Sequence, residues 1–117
     1  MIMLRRVYEG AVSGRSYSVL VDRLWPRGFR KEAAFWDEWN KEVAPDSGLR
    51  KWFHQDKEGR WTEFQHYYAR ELSEKEGELK RLKNLEVQYG SLILVYAARN
   101  PDRNHALVLK AVLDQMS

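Results

Sequence analysis

At 117 residues, with 44% hydrophobic and 32% charged side chains, the chain has the length and composition of one globular domain and not of a disordered segment. No apolar run reaches the roughly 18 residues of a membrane span. The first residues carry their charge after the apolar ones, unlike a signal peptide, and no cysteine is present for disulfides or thiolate chemistry, so a cytoplasmic address is expected. Twenty basic against 17 acidic residues leave a net charge of +3, a mild bias that permits an anionic partner but lacks the basic stripe of a nucleic-acid binder.

Residues 3–8 alternate loosely and predict a strand, and Gly10 and Gly14 punctuate a connector to a second strand over 17–22. That short link suits a hairpin, yet it is also long enough to set the two strands apart. Pro26 holds Trp25 extended, and Gly28 permits a tight turn. Residues 31–42 predict a helical turn and then a short extended segment. Asp46 or Ser47 caps a helix over 49–54, and Gly59 separates it from the next. Trp61, Phe64, Tyr68 and Leu72 form one apolar stripe at helical spacing, which predicts a helix over 60–72. The charge-rich stretch 74–85 predicts a surface helix with pairs such as Glu76–Lys80. Residues 92–96 are continuously apolar, the pattern of a parallel strand buried on both faces. A last helix over 103–116 turns Ala106, Leu109, Leu113 and Met116 to the core. Strands interleaved with helices predict an α/β fold: a single-domain layered sandwich over 1–117, with a partly parallel sheet flanked by helices.

In such sheets ligands collect where strands end and their loops converge. After the second strand come Asp22, Arg23, Trp25 and Arg27, a carboxylate and two guanidinium groups whose planar forks donate in pairs to phosphate or carboxylate. A plainer account pairs Asp22 with an Arg and makes Trp25 a lid over the core. After the 92–96 strand, Ala97, Ala98 and Arg99 lead through a loop to Asn104, His105 and a helix start. The unpaired N–H groups and positive dipole end of a helix favour an anion there. His105, four residues before Leu109, points inward beneath the loop. The plainer account makes Asp102 or Asn104 the N-cap and His105 a hydrogen-bonded, half-buried residue.

His54 and His66 fall in different predicted helices without metal-ligand spacing, so no metal site and no cofactor are predicted. The Lys51-Trp52-Phe53-His54 segment has a base-stacking look, but its aromatic residues fit core packing and Lys51 fits solvent. No Ser-His-Asp ordering and no defined carboxylate pair occurs.

The run Asp22-Arg23-Leu24-Trp25-Pro26-Arg27-Gly28 resembles the YeaO-like branch of the domain of unknown function 488 family. Further matching segments are Glu42-Val43-Ala44-Pro45, Leu49-Arg50-Lys51-Trp52-Phe53-His54, the Trp61–Leu72 stripe, residues 94–99 and Asn104-His105-Ala106, so the resemblance spans nearly the whole chain. It implies a compact bacterial or archaeal α/β domain and brings no activity with it. Longer members resembling this chain carry Cys in a Cys-His-Arg context near the final strand and helix. Here Tyr96, Asn104 and His105 stand in that region and Cys is absent, so thiol or metal chemistry does not transfer.

The expected function is binding of an anionic, phosphate- or carboxylate-bearing small molecule or nucleotide. Arg23, Arg27 and Arg99 would clamp it, Asn104, His105 and the helix start would orient it, and Trp25 would close the site. An enzymatic alternative, a hydrolase or transferase on a phosphoester or nucleoside, gives Asp22 and His105 general acid/base roles and requires both to reach one cleft. An interaction alternative uses basic helix faces around Arg50, Lys51, Lys80, Arg81 and Lys83 to meet nucleic acid or protein, and the near-balanced charge disfavours it. No membrane partner is expected, and no face is singled out for self-association.

Overall fold

The continuously apolar segment forms the middle of the sheet: β4 (Leu92–Tyr96) lies between β1 (Ile2–Arg6) and β2 (Tyr17–Leu20), with all five of its side chains buried. Burying each such side chain contributes about 1.5–3 kcal/mol, which makes this strand the anchor of the fold. β3 (Glu38–Trp39) adds an edge, and the order β1-β4-β2-β3 is parallel throughout. The link between β1 and β2 therefore sets them apart and makes no hairpin. A computed structural model describes residues 1–116, so only the last residue of the domain expected over 1–117 lies outside it.

Strand alternation sends Leu92, Leu94 and Tyr96 to one face of the sheet and Ile93 and Val95 to the other. All four helices pack on the first face: α1 (Ser47–Gln55) through Phe53, α2 (Trp61–Ser73) through Phe64, Tyr68 and Leu72, α3 (Glu76–Tyr89) through Leu79 and Leu82, and α4 (His105–Gln115) through Leu109 and Leu113. Among the described residues the second face carries no α-helix. The connector from β2 to β3 crosses it and lays Phe29, Phe35 and Trp36 over Leu20, Ile93 and Val95, which refines the expected sheet flanked by helices to helices on one side only. Edge-to-face contacts tie these rings together, and their area does the covering that a helix would otherwise provide.

Both early strands stop short of their expected ends, for local reasons. β1 ends at Arg6, opposite Tyr96, and the chain closes into one 3-10 turn over Val7–Glu9, where the Glu9 carboxylate accepts the Arg6 N–H at 2.9 Å. β2 ends at Leu20, because beyond Val21 a side chain replaces the ladder, as described below. α3 runs to Tyr89, four residues past the expected 74–85 stretch, and stops at Gly90, whose φ of +85° suits glycine. The Glu76–Lys80 pair is present at 3.2 Å.

Two groups of polar contacts fix the helical layer and the sheet edge. The buried Tyr68 hydroxyl donates to the buried Val43 carbonyl, joining α2 to the segment before α1. Arg81 of α3 pairs with Glu38 and with Glu78, and Tyr17 donates to Glu38, which pins β3 to the sheet edge. Among the described residues no helix is long and apolar enough to cross a membrane.

Candidate functional site

Because every strand runs the same way, the carboxyl ends of β1, β4 and β2 open at one edge of the sheet. The ladder between β2 and β4 ends with Val21 N–H donating to Val95 O at 3.0 Å. One residue later the Asp22 carboxylate takes over, its Oδ2 accepting the Ala97 N–H at 3.0 Å. The two loops that follow β2 and β4 are thus clipped together by a side chain.

His105, the first residue of α4, meets the same carboxylate. Its Nε2 lies 2.9 Å from Asp22 Oδ1 and 3.1 Å from the Val21 carbonyl oxygen. Both neighbours are acceptors, so Nε2 carries a hydrogen, and in the neutral ring Nδ1 is the acceptor. The N–H is aligned with the Val21 carbonyl, which leaves the buried Asp22 Oδ1 close to the ring without an aligned donor. The sequence-derived alternative that Asp22 pairs with an Arg is replaced by this Asp–His contact.

Around it lies a cleft of about 760 Å³, and all seven candidate residues line it: Asp22, Arg23, Trp25, Arg27, Arg99, Asn104 and His105. They do not stand equally free. Arg23 donates from Nε to Pro45 O at 3.0 Å and from a terminal nitrogen to Ala44 O at 3.3 Å, so it also holds the approach to α1. Trp25 donates its indole N–H to Phe29 O and packs edge-to-face on Trp36 and Trp39, which makes it a fixed wall and not a closing lid. Asn104 is buried as the N-cap of α4; its Oδ1 accepts from Leu107 N and its Nδ2 donates to Asn100 O. Asn104 therefore fixes where the helix starts, with both its amide oxygen and its amide nitrogen already engaged. Arg27 and Arg99 are exposed.

Sequence reasoning missed half of the charge here. Arg6 from the end of β1, Arg50 of α1, Lys57 just beyond it, and Arg103 before α4 also line the cleft, together with His54. Arg50, His54 and Lys57 recur at spacings of four and three, a helical stripe that was legible beside the buried Phe53. Arg6 had no such signal, since only the parallel topology brings it over, whereas Arg103 sits in the loop before Asn104 that was already marked. Desolvation, then the charges of Lys57, Arg50 and His105, hold the His54 imidazole below its ordinary pKa, against the opposing pull of Asp22.

The charge balance of the cleft differs from that of the chain. Seven of the 20 basic residues and one of the 17 acidic residues line it, which leaves 13 basic against 16 acidic residues elsewhere. Among the described residues, none of the seven Arg and Lys side chains pairs with a carboxylate. By contrast, Lys80, Arg81 and Lys83 on α3 are matched by Glu76, by Glu38 and Glu78, and by Glu86. The basic face proposed there for nucleic acid is largely neutralised, and Arg50 turns into the cleft.

Comparison with known proteins agrees with the resemblance in the sequence. The family model described as the inactive DUF488-N3 subclade matches residues 1–117. Uncharacterized protein YeaO of Escherichia coli (strain K12) is 44% identical over 108 residues, covering 92% of each chain. Uncharacterized protein Rv3073c of Mycobacterium tuberculosis (strain ATCC 25618 / H37Rv) is 37% identical over 115 residues, covering 97% of this chain and 93% of that one. No solved structure matches. The chain belongs to the DUF488 family, in its inactive N3 subclade.

Proposed function

From that membership and the charge of the cleft, we propose that the protein binds an anionic small molecule, bearing phosphate or carboxylate, at the carboxyl edge of its sheet. One observation carries the reading: seven cations without carboxylate partners surround one carboxylate, in a chain whose remainder is net acidic. Gathering like charges costs folding energy, and a bound anion offsets that cost. Arg27, Arg99 and Arg103 supply forked donors, and Asn104 sets the α4 N-terminus beside them.

A second reading rests on the convergence of Asp22 and His105, the arrangement that general acid/base chemistry requires. Two facts weigh toward binding without turnover. No Ser, Thr or Cys lines the cleft among the described residues, and the subclade is described as inactive.

Thermal melts with phosphate, pyrophosphate and nucleotides test the proposal. A ligand at a hundred times its Kd stabilises by about 2.7 kcal/mol, or roughly 10 °C in a domain of this size. Arg99→Ala and Arg103→Ala should each reduce that rise. Binding is refuted if no anion raises Tm, or if the rise is untouched by both substitutions.

A further inference from the structure

The cleft joins a long row of cations to an apolar rim, and together they narrow the class of anion. Arg6 leaves β1, Arg99 leaves β4 and Arg23 leaves β2, three neighbouring strands in the order β1-β4-β2. Adjacent strands lie about 4.8 Å apart, so the outer two of these residues depart from backbones about 10 Å apart. A row of that length offers donors to more than one anionic group at once. Arg103 adds a buried Nε with no hydrogen-bond partner among the described residues, a donor that a bound anion would satisfy.

Two large apolar side chains stand exposed beside this charge. Tyr8 is 45% exposed and Leu24 is 58% exposed, and both line the cleft. The Arg6 guanidinium sits 4.7 Å from the Tyr8 ring centre, and the Tyr8 hydroxyl donates to the Arg27 carbonyl, so the ring is held in place at the rim. A cleft of about 760 Å³ accommodates far more than a single anionic group.

We propose that the ligand is an organic polyphosphate of the nucleotide kind, its phosphates lying along the Arg6, Arg99 and Arg23 row and its flat ring resting on Tyr8 and Leu24. This inference rests on the anion-site reading and narrows it to at least two phosphate groups plus a ring. A terminal phosphate brings close to two negative charges at neutral pH and each internal one adds a further charge, so a di- or triphosphate answers the excess of cations better than a monoanion does.

Isothermal titration of the full chain, at low salt with chelator present, compares adenosine, AMP, ATP, inorganic triphosphate and a single-stranded decanucleotide. ATP should bind at least about tenfold more tightly than AMP, and more tightly than inorganic triphosphate, with adenosine weakest. Tyr8→Ala should weaken ATP by roughly 5- to 150-fold, the range of a lost ring stack, and leave inorganic triphosphate unchanged. Tyr8→Phe keeps the ring but loses its tether to the Arg27 carbonyl, so ATP should weaken less than in Tyr8→Ala while inorganic triphosphate stays unchanged. Equal affinity for AMP and ATP overturns the polyphosphate while the anion site stands. Equal affinity for ATP and inorganic triphosphate, with Tyr8→Ala silent, overturns the ring contact. A decanucleotide that binds more tightly than ATP moves the assignment to nucleic acid. If no probe binds a chain that circular dichroism shows to be folded, both readings fall.

Discussion

Asp22 is predicted to stabilise the fold while weakening its ligand. Its Oδ2 accepts the Ala97 N–H at 3.0 Å and its Oδ1 lies 2.9 Å from His105, so it joins the two loops; it is also the one carboxylate among seven cations. A hydrogen bond to a charged acceptor contributes about 1.5–3 kcal/mol, so Asp22→Ala should lower Tm by roughly 6–12 °C at about 4 °C per kcal/mol. Asp22→Asn keeps an acceptor oxygen and should lose about half of that. A bound anion feels the opposite sign. At an effective dielectric constant of about 20 and a separation of roughly 9 Å, removing one like charge relieves on the order of 1–2 kcal/mol, close to a tenfold gain in affinity. With pyrophosphate at a hundred times the wild-type Kd, the stabilisation should grow from about 2.7 to about 4.1 kcal/mol in Asp22→Ala. Melts of both proteins with and without pyrophosphate measure it: a lower starting Tm in the variant, and a larger rise by roughly 5 °C. An equal or smaller rise refutes the repulsion and makes Asp22 purely a clip between loops.

Three further outcomes follow from the packing and the titrating groups. Tyr68→Phe leaves the buried Val43 carbonyl without its donor and should cost about 1–2 kcal/mol in denaturant unfolding; no change would mean the carbonyl finds another partner. At the sheet edge, burial pushes Glu38 up but hydrogen bonds from Arg81 and Tyr17 more than offset it, and an Arg81 hydrogen bond holds Glu78 down. Depressed carboxyls stabilise above their unfolded pKa and lose that contribution as pH falls through the folded one, so the deficit of Arg81→Ala, at most about 1 kcal/mol at pH 7 for so exposed a residue, should shrink as pH falls below about 4.3. His54 is a base held below its ordinary value, so the unfolded chain takes up its proton first and stability falls as pH drops below about 6.5. His54→Gln should flatten the fall in unfolding midpoint between about pH 7.5 and 5.5, and parallel curves would contradict the assignment.

Much of the fold was legible because single-residue patterns suffice for it. Five consecutive apolar residues, 92–96, fit a doubly buried strand, and the Trp61, Phe64, Tyr68, Leu72 stripe fits one face of a helix. What periodicity does not encode is which layer covers which face, and here the aromatic connector covers one face alone. The early end of β2 was illegible for a related reason: a side chain, Asp22, takes the bond that a backbone group would have made. The seven candidate residues share one cleft because the two loops that carry them leave adjacent parallel strands. Their individual roles depend on partners far away in sequence. Asn104 and Trp25 are held by other groups, whereas Arg6 arrives from a strand end with no local mark of a site.

Titration of the isotopically labelled protein with pyrophosphate, followed amide by amide in nitrogen–proton correlation spectra, tests the anion site most directly. Saturable shifts should concentrate at Arg6, residues 22–27, 50–57 and 97–105, while the amides of Lys80, Arg81 and Lys83 on α3 stay in place. Shifts spread over α3, or no shifts at millimolar pyrophosphate, would contradict it.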